Sequence, residues 1–303
     1  MSVHPENYAE FLQRLGHEVK SVDGHWWFDC SPRVFANFPF HWDVDVCNVD
    51  VGDVLGKSGL IARMTCPLDH GATSFRLICD DTDYDFPTLR KRTRTQVRRG
   101  LESCEVHQID FAELKRHYLP LQRATHARQG RKAQQDDKNY WDRFIDSAAY
   151  TEGAETWASY VDGKMAAYLI NFTILDTANL CIVRSDTQLL KSFPNNALLF
   201  TWLQDALNRP EIRQVSYGLE SVQTGGEKLD QFKSGMGFRK EACGQRIMLA
   251  GKLNAVLKKP VVSFIQPCVR RFMPNETGRK LDGVLTWYQA QPSLKQITAT
   301  KAA

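Results

Sequence analysis

The spacing of apolar side chains predicts several helices in the first half of the chain. Tyr8, Phe11, Leu12 and Leu15 recur at the three- and four-residue intervals of an amphipathic helix that begins near Pro5. Similar periodicity predicts further helices over residues 88–101, 111–128 and 138–149. Short apolar runs between turn residues predict strands over residues 24–30, 59–64, 74–79 and 105–109.

The second half has a more regular order of elements. Three consecutive strands are predicted over residues 155–161, 164–174 and 179–183, and the pair Asp162-Gly163 predicts a tight hairpin turn between the first two. A strongly apolar helix, a strand, a helix and a strand follow over residues 196–207, 214–217, 228–234 and 239–249. This order favours an α+β fold, in which a mixed and mainly antiparallel sheet is flanked by helices, over a doubly wound parallel sheet.

Composition excludes several classes of protein. Of the 303 residues, 43% are hydrophobic and 24% are charged, which is typical of a folded chain and not of a disordered one. No apolar run approaches the roughly 20 residues that span a bilayer, and the N-terminus lacks the basic and apolar segments of a signal peptide. The eight cysteines occur singly, which predicts free thiols in a reducing compartment. We therefore expect a cytoplasmic protein.

Three kinds of catalytic motif are missing from the sequence. It has no cysteine and histidine spacing of a zinc site, no Gly-x-Ser-x-Gly nucleophile turn and no Gly-x-x-x-x-Gly-Lys phosphate loop. Metal-dependent hydrolysis, covalent catalysis and ATP hydrolysis are therefore not predicted, and no metal ligand is assigned.

Positive charge is concentrated in two segments, although the net charge of +4 is modest. Residues 90–99 contain six basic side chains and no acidic one, and residues 252–280 contain seven basic side chains against Glu276 alone. In the second segment apolar and basic residues alternate, and Pro260 and Pro267 are expected to interrupt any single helix. Such segments bind nucleic acid, anionic lipid or polyphosphate ligands, or are simply solvated helix faces.

Three stretches carry a resemblance to a known family. They are residues 93–100 (TRTQVRRG), 193–199 (FPNNALL) and 229–238 (LDQFKSGMGF). With the order of elements over residues 85–250, they resemble the GNAT acyltransferase fold. The closer resemblance is to its Fem-like branch, which includes aminoacyl-tRNA-dependent peptidyltransferases and acetyltransferases found with polysaccharide biosynthesis.

The resemblance also suggests a division of the chain. We predict an N-terminal GNAT-like or degenerate half over residues 1–150, a GNAT-like acyltransferase half over residues 151–250 and a basic amphipathic extension over residues 251–303. It leaves open whether the first half is a second copy of the fold, which would make two tandem GNAT-like halves.

The candidate catalytic residues lie near the end of the matched region. By resemblance, Lys233 matches a lysine that stabilises the charge developing on the carbonyl oxygen during aminolysis; the alternative is a surface lysine on a helix. Glu220 follows a strand end where an amine nucleophile would lose its proton, so it is a candidate general base or a plain loop carboxylate. Tyr217 would hydrogen-bond a leaving group or simply pack.

Donor binding is expected where a GNAT-like sheet splays. In this sequence the splay should lie between the strand that ends at residue 183 and the strand at residues 214–217. The N-terminus of the intervening helix, capped by Asn195 or Asn196, would then bind phosphate.

Side chains before this helix are further candidates for donor binding. Residues 188–194 lack the glycines of a CoA pyrophosphate loop, so Lys191 and Ser192 would supply side-chain contacts instead. Arg184 would bind a phosphate or an acidic acceptor, or pair with Asp186.

These features predict a transferase that moves an acyl or aminoacyl group directly onto an amine or hydroxyl of a sugar, peptide or cell-envelope precursor. The resemblance implies acyl-CoA or, alternatively, aminoacyl-tRNA as the donor, and Arg94, Arg98 and Arg99 of the basic helix would suit tRNA phosphates. Residues 252–280 would allow peripheral contact with an anionic membrane. The competing hypotheses are a non-catalytic binding protein on the same fold and a nucleic-acid-binding protein that uses the basic helix.

Overall fold

A computed structural model of the chain describes residues 4–130, 137–220, 227–273 and 275–302. The α-helices are α1 (Pro5–Arg14), α2 (Val51–Leu55), α3 (Lys91–Ser103), α4 (Phe111–Arg128), α5 (Lys138–Ala149), α6 (Pro194–Leu207), α7 (Glu227–Gly235), α8 (Gly251–Val256), α9 (Lys259–Phe272), α10 (Glu276–Ala290) and α11 (Leu294–Ala302). The strands are β1 (Val19–Val22), β2 (His25–Ser31), β3 (Val34–Phe38), β4 (Ile61–Cys66), β5 (Ala72–Cys79), β6 (Glu105–Ile109), β7 (Ala154–Val161), β8 (Lys164–Ile174), β9 (Thr177–Ser185), β10 (Gln214–Leu219) and β11 (Arg239–Leu249). None of the helices in the described ranges combines the length and the apolar character needed to cross a bilayer.

The chain forms two compact units that are interleaved in sequence. Unit 1 contains Met1–Gly16, Leu77–Gly218 and Leu229–Arg239, and unit 2 contains His17–Arg76, Leu219–Lys228 and Lys240–Ala303. The boundaries drawn from the sequence at residues 150 and 250 follow one another along the chain, so they do not coincide with these units. The assignment of two GNAT-like halves and an extension stays a prediction.

Unit 1 contains strands in the order β10-β9-β8-β7-β6. Strands β6 to β9 are antiparallel to their neighbours, whereas β10 is parallel to β9. The hairpin between β7 and β8 turns at Asp162 and Gly163, whose φ angles of 50° and 73° fit the predicted tight turn. Strand β8 is buried from Met165 to Ile174 because it has a strand on either side and helices α1, α4 and α6 pack on it. This mixed, mainly antiparallel sheet confirms the predicted fold class.

Helices of unit 1 cover this sheet. Helix α6 is apolar on most sides and packs on β7, β8 and β9, with Trp202 and Leu203 fully buried. Helices α4 and α5 begin where predicted because Asp110 and Asp137 cap them. The Asp110 carboxylate accepts a hydrogen bond from the Glu113 amide (2.6 Å), and the Asp137 carboxylate accepts one from the Asn139 amide (2.9 Å).

Unit 2 contains strands in the order β1-β2-β3-β4-β11. All neighbours are antiparallel except β3 and β4. The main core of this unit includes Trp27, Phe35 and Met64. A smaller core joins α9 to α10 through Val262, Val269 and Leu285.

The two prolines of the C-terminal region have different effects. Pro260 lies in the first turn of α9, where its missing amide hydrogen is not needed. Pro267 lies inside α9, so the prediction that it interrupts a helix was wrong. The helix continues through it because Val262, Gln266 and Val269 are buried and hold the helix on both sides of the proline.

Candidate active site

The parallel pairing of β9 and β10 is short. Their register covers only Gln214 to Ser216, opposite Thr177 to Asn179, while β9 continues to Ser185. Beyond Ser216 the chain turns at Gly218, whose φ is +83° and whose amide donates to the Ser216 hydroxyl (3.2 Å). The two strands therefore separate at the position expected for the splay.

Lys233 lies next to the end of β10. Its side chain extends from α7 and is buried, with 7% of the residue exposed. The ammonium nitrogen lies 3.4 Å from the main-chain oxygen of Tyr217 and 4.2 Å from the centre of the Tyr217 ring. Burial lowers the pKa of Lys233, and the nearby charge of Asp230 opposes this shift. A buried cation at a strand end can stabilise a negative charge that develops there.

Tyr217 contacts Phe238 as well as Lys233. Its ring also packs edge-on against Phe238, with 5.3 Å between the ring centres. Burial raises the pKa of Tyr217 to about 12, although the charge of Arg184 acts in the opposite direction. The hydroxyl is therefore protonated at neutral pH and can donate a hydrogen bond.

Arg184 is held at the end of β9 by a buried polar group. Its Nε donates to the Gln122 side-chain oxygen (2.6 Å), and Gln122, which is fully buried, also accepts from the Tyr168 hydroxyl (3.2 Å). The guanidinium also lies 5.7 Å from the ring centre of Trp141. Asp186 pairs with Lys164 at 2.7 Å, and the role of Arg184 in binding a phosphate or an acidic acceptor stays a prediction.

A second group of polar side chains lies where β9 ends and α6 begins. The Ser185 hydroxyl accepts from Arg128 (3.1 Å) and from the Asn195 amide (3.0 Å), and Arg128 also donates to the Thr187 hydroxyl (3.0 Å). The buried side-chain oxygen of Asn195 has no hydrogen-bond partner among the described residues. Exchanging the oxygen and nitrogen of this amide would leave the nitrogen without a partner instead. In either orientation Asn195 offers one buried polar atom to a ligand, so this group fits the polar part of an acyl donor.

The N-terminus of α6 differs from the prediction. The residue before α6 is Phe193, in the left-handed conformation with φ of 53°, so neither asparagine is the N-cap. Asn196 is buried and its amide nitrogen lies 3.8 Å from the sulfur of Met236. Lys191 is exposed, and the Ser192 carbonyl accepts from the thiol of Cys104 (3.4 Å). Roles of these side chains in donor binding stay predictions.

The arginines of the basic helix α3 lie in two different environments. Arg94 donates to the carbonyl oxygens of Pro87 (3.3 Å) and Leu89 (3.2 Å), which fixes the approach to the helix. Arg98 and Arg99 are exposed, and Arg98 lies 5.2 Å from the ring centre of Phe86. The predicted basic patch therefore consists of Arg98 and Arg99, together with the exposed Lys91 and Arg92.

Glu220 belongs to unit 2, whereas Lys233 and Tyr217 belong to unit 1. One carboxylate oxygen of Glu220 accepts from the Ser74 hydroxyl (2.9 Å), and its amide donates to the Phe75 carbonyl (2.8 Å). Its role as a general base stays a prediction.

Sequence reasoning missed Gln122, Arg128 and Ser185. Gln122 and Arg128 lie on α4, more than fifty residues from their partners on β9. Because no local pattern marks such a contact, only the fold shows it. Within the described residues, no three histidine, cysteine or acidic side chains are placed to bind a metal ion together.

Comparisons with known proteins agree with this fold. Residues 88–233 match the family model described as an acetyltransferase (GNAT) domain, a range that contains the splay, Tyr217 and Lys233. FemX is a similar solved structure, 11% identical, with a TM-score of 0.58 over 86% of this chain and 93% of its own. The C-terminal domain of a protein from Agrobacterium fabrum, named as a lysylphosphatidylglycerol synthetase, is 12% identical, with a TM-score of 0.53 over 84% of this chain and 91% of its own. At these identities the likeness shows the fold alone, and no curated protein matches the chain in sequence.

Proposed function

We propose that this protein is an acyltransferase that transfers an acyl or aminoacyl group directly to an amine or hydroxyl, because residues 88–233 match the family model of a GNAT acetyltransferase domain. The observation that carries this proposal is the buried Lys233, held over Tyr217 beside the splay of β9 and β10. The site places a cation and a protonated hydroxyl at the strand end where acyl transfer would take place.

Each side chain has a distinct role in the proposed reaction. The nucleophile attacks the carbonyl carbon, and the bond to the leaving sulfur or oxygen then breaks. Lys233, when protonated, stabilises the negative charge on the carbonyl oxygen. Tyr217 donates a hydrogen bond to the leaving atom, and Glu220 is the candidate base that accepts the proton of the nucleophile. Lys233 and Tyr217 need form no covalent intermediate in this scheme.

The donor is acyl-CoA or aminoacyl-tRNA. Arg128, Ser185 and Asn195 offer polar groups to the donor at the entrance of α6. The glycine-free stretch over residues 188–194 supports a donor other than acetyl-CoA. The exposed Arg98 and Arg99 would bind tRNA phosphates, and affinity of this kind falls steeply with salt.

The acceptor is a cell-envelope or polysaccharide precursor. The name of one similar structure, a lysylphosphatidylglycerol synthetase, supports a membrane-lipid or envelope acceptor, and this likeness is one of fold. An acceptor made at the membrane would be reached by a protein that binds the membrane surface.

Helices α8 and α9 supply such a surface in unit 2. Phe264 and Phe272 on α9 are 80% and 73% exposed, and Val256 on α8 is 65% exposed. Residues 251–273 carry five basic side chains and no acidic one. Phe264 and Phe272 are eight residues apart, so they lie near one face of α9. We propose that this face lies on an anionic membrane.

The experiment that tests the proposed function is a donor assay with the full chain. Acetyl-CoA, long-chain acyl-CoA and aminoacyl-tRNA are each supplied with hydroxylamine as a small nucleophile, and release of free thiol or of uncharged tRNA is measured. We expect turnover with one donor, its loss in Lys233→Ala, and its retention in Lys57→Ala, which removes an exposed lysine of unit 2. Saturable donor binding without turnover would instead support a binding protein on this fold.

A further inference from the structure

The arginine Arg63 has unusual partners for a half-buried cation. It lies on β4 opposite Ile247 of β11, and its Nε donates to the side-chain oxygen of Gln245 (3.0 Å). Gln245 is fully buried and in turn donates to the Thr65 hydroxyl (3.2 Å). The guanidinium carbon of Arg63 lies 4.8 Å from the centre of the Trp287 ring. These contacts fix the plane of the guanidinium between a neutral amide and an aromatic face.

No described carboxylate forms an ion pair with Arg63. Arg76 and Arg246, two other arginines of unit 2, differ from Arg63 because each donates through a terminal nitrogen. Arg76 pairs with Glu241 and also donates to the His41 carbonyl (2.9 Å). Arg246 is buried and donates to the carbonyl oxygens of His70 and Pro292. Arg63 uses only its Nε within the described residues, so its two terminal nitrogens keep their hydrogen-bonding capacity.

The electrostatic environment of Arg63 would favour a bound anion. Burial lowers the pKa of Arg63 to about 10, and the charge of Glu220 is among the influences that oppose this shift. Glu220 is held by the Ser74 hydroxyl and forms no ion pair with Arg63 among the described residues. An anion at the terminal nitrogens of Arg63 would compensate the cost of burying its charge.

We propose that Arg63 binds the oxyanion group, a carboxylate or a phosphate, of the acceptor substrate. The planar guanidinium presents two parallel N–H donors to such a group, and the Nε bond to Gln245 with the stacked Trp287 sets their direction. This inference rests on the proposed function, in which Glu220 accepts the proton of the acceptor. The charge of Glu220 acts on Arg63, so an acceptor beside Glu220 would also reach Arg63. Acceptors would then carry an acidic group as well as the amine or hydroxyl that is acylated.

The test is an NMR titration of the full chain labelled with ¹⁵N-arginine. The Nε–H signal of Arg63, assigned by its absence in Arg63→Lys, is followed during additions of inorganic phosphate and, separately, of glutarate. We expect a saturable shift with at least one of them, and the one that binds more tightly identifies the oxyanion. The Trp287 indole signal, assigned with Trp287→Phe, should move with the same midpoint.

Three variants separate this site from non-specific binding. Lys57→Gln removes an exposed charge from the same unit and should leave the midpoint unchanged. Arg63→Gln, followed through the Trp287 signal, should weaken binding roughly 10- to 100-fold. Gln245→Glu would place a carboxylate beside Arg63 and should weaken binding at least about 10-fold while the protein stays folded.

The outcomes can be assigned separately from those of the donor assay. Absence of a saturable shift with both anions, or equal binding in Gln245→Glu, would overturn the Arg63 site even if acyl transfer is observed. Anion binding at Arg63 in a protein without acyl transfer would overturn only the proposed function.

Discussion

The ammonium nitrogen of Lys233 lies over the face of the Tyr217 ring, 4.2 Å from its centre; Lys233 is buried, and Tyr217, near the end of β10, is half-buried. The two groups that this cation contacts among the described residues, the ring and the carbonyl of Tyr217, are neutral. A buried cation with neutral partners lowers the stability of a fold, so its position indicates a chemical role.

Replacing Lys233 by methionine should increase stability and remove activity. Between the lowered folded pKa of Lys233 and its ordinary value of 10.5, the unfolded chain binds more protons than the folded chain. The wild type therefore gains stability as pH rises through this window, whereas Lys233→Met does not. In urea unfolding, the free energy of unfolding of Lys233→Met should exceed that of the wild type most at pH 7, and the difference should shrink toward pH 10. Turnover should fall about 10²- to 10³-fold. A variant less stable than the wild type at pH 7 would contradict this account.

The Tyr217 hydroxyl should matter most for donors with a poor leaving group. In Tyr217→Phe the ring and its packing on Phe238 are kept, but the hydrogen-bond donor is lost. We expect kcat to fall about 10²-fold with an alkyl thioester and much less with an aryl thioester, whose thiolate leaves without assistance. Equal losses with both donors would indicate a packing role for Tyr217.

Several elements follow directly from local sequence. Helices α4 and α5 match their predicted bounds because Asp110 and Asp137 cap them, and β8 matches because the turn at Asp162 and Gly163 fixes its start. The C-terminal helix α9 was missed because a proline in its interior is normally a break. In α9, packing of one face against α10 outweighs the tendency of the interior proline to break the helix.

The candidate site was predictable only in part. Lys233 was predicted by resemblance, Tyr217 was a candidate with packing as its alternative, and the structure brings the two together. Arg94 was taken for a surface cation because charge in the sequence does not show which side chains bind main-chain carbonyls. Asn195 and Asn196 were taken for caps, because no sequence pattern shows that Phe193 adopts the left-handed conformation.

Gly100 should be required for the contact between α3 and α6. A Cβ atom at Gly100 would lie 2.9 Å from the Phe193 carbonyl oxygen and 3.1 Å from the Cβ of Ala197. Gly100→Ala should therefore lower the free energy of unfolding by about 1–3 kcal/mol. Gly251→Ala is the matched control because its Cβ would meet no atom within 4 Å, and it should be neutral or stabilising by up to about 1 kcal/mol. Thermal unfolding measures both.

Ser185 should affect the donor and not the acceptor. Its hydroxyl holds both Arg128 and Asn195, so Ser185→Ala would release the two side chains at once. We expect KM for the donor to rise roughly 10-fold with little change in KM for the acceptor. Asn208→Ala, at the opposite end of α6, is the control and should change neither value.

Membrane binding should depend on the two exposed phenylalanines of α9. Sedimentation with vesicles containing about one-third anionic lipid should show at least about 10-fold weaker binding for the double variant Phe264→Ser and Phe272→Ser. Tyr150→Ser is a suitable control because Tyr150 is 82% exposed but lies in unit 1. Wild-type binding should also weaken with salt. Equal binding to neutral vesicles would contradict the role of the basic residues.

The interleaving of the two units has a consequence for how the protein is made. Residues 229–239, which carry Lys233, belong to unit 1, but the ten residues before them belong to unit 2. During synthesis, unit 1 cannot be completed until residues 229–239 have emerged from the ribosome, and these follow β10 by only ten residues. The segment that carries Lys233 is therefore the last part of unit 1 to be translated, after β6 to β10 have all been made.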